Sequence, residues 1–219
     1  NLSLTPNDIS RLIEFNISEI VIVDHAKPVN ENKEKDEEQS KFKKEYEESA
    51  DIIKNVLNNL AIGKRLEINT MEPVFDSVYK QVSFNYSLID YINEVRTADV
   101  YTYHHSLNVS LYAGLIAHWL ELPEQIIKEV IQSGVLHDVG KARVPQGILF
   151  KEGPLTQKEF NEMKKHSLLG YRLVKNIKEI SEGIRKGVLM HHEKADGKGY
   201  PLGLTNKNIH PYAKIIAVA

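Results

Sequence analysis

The chain has 219 residues, 42% of them hydrophobic, enough for one domain with a sizeable core plus a small second module. Its 28 basic and 30 acidic side chains leave a formal charge of −2, which argues against a nucleic-acid polymer or a membrane surface as the partner. Cysteine is absent, which excludes disulfides and thiolate-bound zinc and fits a reducing, cytoplasmic setting.

No apolar run approaches the ~18 residues of a membrane helix. The best candidate, 107–122, is interrupted by Asn108, Ser110, His118 and Glu121. The chain begins at Asn1 with no signal-peptide pattern and reads as a piece of a longer protein.

In chain order, Thr5-Pro6-Asn7-Asp8 predicts a helix start, and Ile20-Val21-Ile22-Val23 is a β-branched run of strand character. Residues 1–25 are therefore expected to be part of a small α/β module. From Lys27-Pro28 to Gln39 the chain is charged and reads as a solvated linker or a frayed helix start. Phe42, Tyr46, Ala50, Ile53, Val56, Leu57 and Leu60 fall at helical spacing, and Gly63 is placed to stop that helix. A second helical segment is expected over 72–96. Residues 1–97 thus read as an N-terminal module with connecting helices, regulatory or dimerising, and 42–96 is a candidate homodimer contact.

The remainder, 98–219, reads as all-helical. Leu107, Leu111, Leu115 and Trp119 share one face of a helix over 105–120, and Val109, Tyr112 and Ile116 share a second with His105. Leu122-Pro123 opens a helix that runs to His137-Asp138. Thr156 and Glu159 form a capping box ahead of a helix carrying His166, and 184–192 is another helix.

The chemistry is concentrated in this half. His137-Asp138, His166, His191-His192 and His105 are imidazoles plus a carboxylate, the ligand set of a hydrolytic metal centre. Consecutive helical residues point about 100° apart, so His137-Asp138 can address two neighbouring ions, the imidazole one and the carboxylate both. Six side chains are too many for one tetrahedral zinc, and two ions sharing a hydroxide fit better. Ligation by imidazole and carboxylate favours iron or manganese. Lys141 lies one turn from His137 and can donate to a phosphate. His25, His104, His118 and His210 read as structural or exposed, and Gly197, Gly199 and Gly203 either as plain turn residues or as a place where substrate approaches the backbone.

Residues 99–219 resemble the HD-GYP subgroup of the HD-domain phosphohydrolases. The matching strings are YTYHHS (101–106), LHDVGK (136–141), ILFKEGPLT (148–156) and HHEKADGKGYPLGL (191–204). The resemblance implies an all-helical domain that hydrolyses cyclic di-GMP to linear pGpG or GMP. It implies His105, His137, Asp138 (bridging), His166, His191 and His192 as metal ligands and Asp138 and Lys141 as the catalytic pair. Lys141 would orient the phosphate, while Gly199, Tyr200 and Pro201 would shape the substrate pocket and offer a contact to partner signalling domains. Some members place a glutamate four residues before the first histidine and hold a third metal; Tyr101 stands there, so two ions are expected. The family pattern continues directly after Ala219 with a metal-binding aspartate, so the domain is expected to be incomplete at its C-terminus. Two other readings stay open: a receptor that binds cyclic di-GMP or a partner without turnover, and a nucleotidase or other cyclic-dinucleotide esterase on the same scaffold.

Overall fold

The computed structural model describes residues 31–84, 87–95 and 102–219. The expected α/β module of 1–25 lies outside the described residues. The chain divides into two compact units, Asn1–Glu38 and Gln39–Ala219; the architecture below is that of the second.

Helix α1, Glu31–Ala61, begins well before the first apolar residue of the predicted pattern. Of the two readings of 27–39, linker or helix start, the helix start holds from Glu31, because the Glu and Lys residues there are strong helix formers. Phe42, Tyr46, Ala50, Ile53 and Leu60 are buried along one face, and the helix ends just ahead of Gly63. A 3-10 turn, Ile68–Met71, leads into α2, Glu72–Phe84. The single segment expected over 72–96 is two helices, α2 and α3, Leu88–Val95. Val74, Phe75, Val78 and Val82 of α2 and Leu88 and Ile92 of α3 are buried, so these helices belong to the core rather than standing apart as connectors.

Helix α4, Thr102–Trp119, is the centre of the bundle. Leu107, Leu111 and Leu115 are buried as expected, but so are Val109, Ser110, Ala113 and Ala117 around the rest of its circumference. Trp119 departs from its predicted place: it is 62% exposed at the C-terminal end of the helix. Helix α5, Glu124–Leu136, packs along α4 and continues into a 3-10 turn, Val139–Arg143. Short helices α6, Gln146–Leu149, and α7, Gln157–Met163, follow. Thr156 caps α7 by accepting from Glu159 N–H, while the Glu159 carboxylate accepts from Thr156 N–H at 2.7 Å. Then come α8, His166–Val174, α9, Glu182–Met190, and α10, Pro211–Val218. The Glu129 carboxylate of α5 accepts from Ser181 Oγ at 2.6 Å and Tyr212 OH at 3.0 Å, joining α5, α9 and α10. Among the described residues there is no strand, only an isolated bridge between Asp196 and Thr205. The all-helical expectation for 98–219 holds over its described residues, 102–219.

Candidate metal centre

Four helix ends converge on one carboxylate. Helix α5 ends at Leu136, so His137 is its C-cap, and Asp138 has already left the helix with φ −98° and ψ 5°. His137 keeps helical backbone angles and Asp138 does not, so the pair is not two consecutive helical residues as the sequence suggested, and the two side chains meet instead of pointing apart. His191 likewise caps the C-terminus of α9, with His192 just beyond it. These two C-termini present the negative end of their dipoles to the spot, and the two helices that arrive by their N-termini present the positive end, so the side chains set the charge of the site. His166 is the first residue of α8, and His105 lies in the first turn of α4.

Asp138 is 2% exposed, and its two oxygens face different neighbours. Oδ2 lies 3.2 Å from His137 Nε2 and 3.6 Å from His105 Nε2. Oδ1 lies 3.3 Å from His166 Nε2 and 3.9 Å from His191 Nε2. The ligand-capable atoms form two groups that share this residue: His105, His137 and Asp138, and Asp138, His166, His191 and His192. All six predicted ligands are thus brought together. His105 reaches the cluster from the open side: its side chain is 55% exposed although Val109 on the face assigned to it is buried, and the buried neighbour is His104, packed between Tyr46 and Tyr103. Among the other histidines, His118 is exposed and His210 caps α10 by accepting from Tyr212 N–H.

The donor set fits divalent ions on three counts. Nδ1 of His137, His166 and His191 each meets the carbonyl three residues back, of Gly134, Met163 and Val188, at 2.6, 2.8 and 2.8 Å. Each Nδ1 must carry a proton to make that bond, which leaves Nε2 of a neutral ring as a lone pair. His166 Nε2 and His191 Nε2 then stand 3.1 Å apart, an arrangement that needs a positive centre between them. Asp138 Oδ1 is buried and has no hydrogen-bond donor, though such a buried acceptor is costly unless something positive meets it.

Electrostatics hold these groups in their ligating forms. Burial pushes the imidazoles of His105, His166 and, most strongly, His191 below their ordinary value, and it brings His192 down to about 4. Burial opposes the charge on Asp138, but the neighbouring His137, Lys141 and His166 outweigh it and hold the carboxyl well below the usual range. Lys141 Nζ lies 2.7 Å from Asp138 Oδ2, so the lysine predicted to meet phosphate is seated against the carboxylate.

A pH dependence follows. In the unfolded chain the imidazoles take up protons near 6.5, and in the folded metal-free chain they resist until lower pH. Between those values the unfolded state binds more protons, so stability falls as pH drops from about 7 towards 4. Urea unfolding with a chelator present is expected to give on the order of 2 kcal/mol less stability at pH 4.5 than at pH 7.5, after allowing for the part-exposed His105 and His192. Equal stabilities at the two pH values contradict this.

The loop after His192 forms the adjoining wall. Tyr200 stacks on the His192 ring, with centroids 4.6 Å apart, and Lys164 Nζ lies 5.4 Å from the Tyr200 ring centroid. Burial, then Asp138, raises the Tyr200 hydroxyl to about 12, so it stays a donor at neutral pH. An ideal Cβ on Gly199 would lie 2.3 Å from Lys194 N and 2.4 Å from Glu193 Cα, so this glycine is required by close approach of backbone to backbone.

Sequence reasoning missed what holds this loop. Glu193, 6% exposed, accepts from Leu202 N–H at 2.6 Å and Leu204 N–H at 2.8 Å. Its only sequence signal is an acid directly after a ligand pair. Glu193→Ala is expected to cost about 2–4 kcal/mol, since two charge-assisted bonds go and two N–H groups are left unpaired. Thermal melting checks this, and an unchanged midpoint contradicts it.

Comparison with known proteins is decisive for the family. The HD domain family profile matches residues 89–219, more than half of the chain. The chain belongs to the HD-domain family. Within it, this HD domain falls in the HD-GYP subgroup. It is 31% identical over 166 residues to a cyclic di-GMP phosphodiesterase of Pseudomonas aeruginosa, covering 76% of this chain and 40% of that protein. It is 40% identical over 114 residues to the cyclic di-GMP phosphodiesterase response regulator RpfG of Xanthomonas campestris, covering 51% of this chain and 30% of that protein. A 3'3'-cGAMP-specific phosphodiesterase of Vibrio cholerae is 35% identical over 116 residues, 52% of this chain and 22% of that one. The chain therefore spans less than half the length of these relatives. In fold it is similar to Bd1817, an HDG"Y"P protein of Bdellovibrio bacteriovorus, with a TM-score of 0.67 at 19% identity, covering 96% of this chain and 65% of that one.

Proposed function

We propose that this HD domain hydrolyses cyclic di-GMP to linear pGpG, to GMP or to both. It would use two divalent ions, iron or manganese, with His105 and His137 on one, His166, His191 and His192 on the other, and Asp138 shared between them. The observation that carries this reading is the buried Asp138 carboxylate, whose two oxygens face separate sets of imidazoles and one of which has no donor. The names of the relatives support the substrate. When bound, such ions supply Lewis acidity, lowering the pKa of water to about 7 and neutralising charge on the phosphate.

The chain's own groups do the rest. Lys141, at the mouth of the cluster, is the donor for a phosphate oxygen and offsets charge that builds up on it. Gly199, Tyr200 and Pro201 bound the substrate from the second side, with the Tyr200 hydroxyl kept protonated. Leu202, 55% exposed beside them, is the residue a partner signalling domain would cover, and Ile62, Phe84 and Ile89 are those a second copy would cover. Among the described residues no helix is long and apolar enough to cross a membrane.

The test is to incubate the full-length protein anaerobically with Fe(II) or Mn(II) and cyclic di-GMP and to resolve the products by chromatography. Binding without product supports a receptor instead. Faster turnover of 3'3'-cGAMP supports the mixed dinucleotide, for which the Vibrio cholerae relative is named, instead. Lys141→Ala is expected to keep both ions and to lose about 10²-fold in kcat; loss of metal in that variant contradicts the assignment of Lys141 to the phosphate.

A further inference from the structure

A cavity of about 550 Å³ opens beside the metal cluster, within the roughly 300–1,000 Å³ of small-molecule sites. Lys54, Leu57, Asn58 and Ala61 of α1 line it, and their spacing of three and four residues puts them on one helix face. Tyr103 and Phe150 supply aromatic surface. Lys141 ties the cavity to the cluster: it lines the cavity while its Nζ sits 2.7 Å from Asp138. Thr102, another lining residue, lies one turn before His105 on α4.

None of the six cluster side chains lines this cavity, and its chemistry is different. Its lining holds two lysines and no acid, two aromatic rings, and two side-chain amides, Asn58 and Gln146. Such a lining suits a flat ring with apolar faces, a hydrogen-bonding edge and an anionic neighbour, which describes a nucleobase attached to its ribose phosphate. Phe150 is 67% exposed, and Lys54 Nζ lies 5.6 Å from the Tyr103 ring centroid. A large aromatic left uncovered on the rim of a cavity is surface that a ligand would bury.

We infer that this cavity is a nucleobase compartment: with a phosphate at Asp138 and Lys141, one base of the cyclic dinucleotide packs against Tyr103 and Phe150 and is read at its edge by Asn58 and Gln146. The inference rests on the proposed hydrolysis of a cyclic dinucleotide. It makes α1, which precedes the region 89–219 shared with the family, part of what selects the base. Relatives named for cyclic di-GMP and for 3'3'-cGAMP match this chain at similar identity, which fits a base choice made by residues beyond the shared metal-binding strings.

Phe150→Ala and Asn58→Trp both alter exposed positions, one stripping the compartment and the other filling it. The readout, on full-length protein loaded with Mn(II), is kcat/KM for cyclic di-GMP divided by kcat/KM for bis(p-nitrophenyl) phosphate, a diester too small to occupy cluster and cavity together. This ratio is expected to fall about tenfold or more in each variant, the scale of one lost base–aromatic stack. The dissociation constant of cyclic di-GMP for the metal-free protein is expected to rise in step. A ratio unchanged in both variants overturns the compartment alone, even if damage to the fold lowers both activities. Cleavage of the small diester but of no cyclic dinucleotide by the unsubstituted protein overturns the functional reading, and the compartment with it.

Discussion

Asp138→Asn is expected to leave the protein folded, to release both ions and to lower turnover on the order of 10³-fold or more, the scale reached when a central electrostatic element is lost. The substitution keeps the shape of the side chain, so the packing around this 2%-exposed position survives. An amide offers one oxygen acceptor where the carboxylate offers two, and its NH2 group is a donor. With the amide oxygen accepting from Lys141 Nζ, that donor meets the Nε2 lone pairs of His166 and His191, in space a cation would otherwise fill. The metal-free variant should therefore melt no lower than the metal-free parent, and the loss should appear only in metal content and rate. His105→Ala, at the exposed edge, removes a ligand from one group alone and is expected to leave one ion tightly held. Elemental analysis of bound metal per chain tests the contrast. Two ions retained by Asp138→Asn would show that the carboxylate is not shared.

Gly140→Ala is expected to cost at least about 3 kcal/mol, among the larger effects of a single methyl group. An ideal Cβ there would lie 1.9 Å from His166 O, 2.3 Å from Gly170 N and 2.9 Å from Gly170 Cα. All three are backbone atoms of α8, so no side chain can move aside and the helix itself must lift off the turn. The turn carries Lys141 and follows Asp138, and the helix carries His166, so metal affinity should fall together with stability. Gly147→Ala is the matched control, because nothing lies within 4 Å of a Cβ at that position. It is expected to change stability by less than about 1 kcal/mol, in the stabilising direction if at all. Urea unfolding of the two variants decides the matter; equal midpoints would show that the contact between turn and helix is soft.

These two residues also mark the limits of what the sequence discloses. The ligand set was legible because histidine pairs at helix ends have few other uses and because their strings are specific to one family. The helices were legible wherever apolar residues recur at helical spacing, as along Phe42, Tyr46, Ala50 and Ile53. The start of α1 was not, because a charged helix carries no apolar stripe to announce it. The burial of α4 on nearly all sides was hidden for the opposite reason, since small residues such as Ser110, Ala113 and Ala117 bury without looking hydrophobic. Trp119 misled in turn: its spacing placed it in the core, but the helix outruns the bundle. The cavity beside Lys141 depends on segments far apart in sequence, and the anchoring of the 199–204 loop by Glu193, though local, follows no helical or strand period.

The three rings tied through Nδ1 to carbonyls of their own chain segments have a wider consequence. Many metal sites orient their imidazoles with carboxylates or amides borrowed from elsewhere, and those outer partners become points of failure. Here the orienting groups are peptide oxygens three residues upstream, which no point substitution can delete. The aim of His137 and His191 is inherited from the helices they cap, and that of His166 from the turn joining α7 to α8, so drift across the rest of the surface can proceed while the centre stays in register. An altered preference for one ion over another would then have to come from changes in the ligands themselves or in the walls of the substrate cleft.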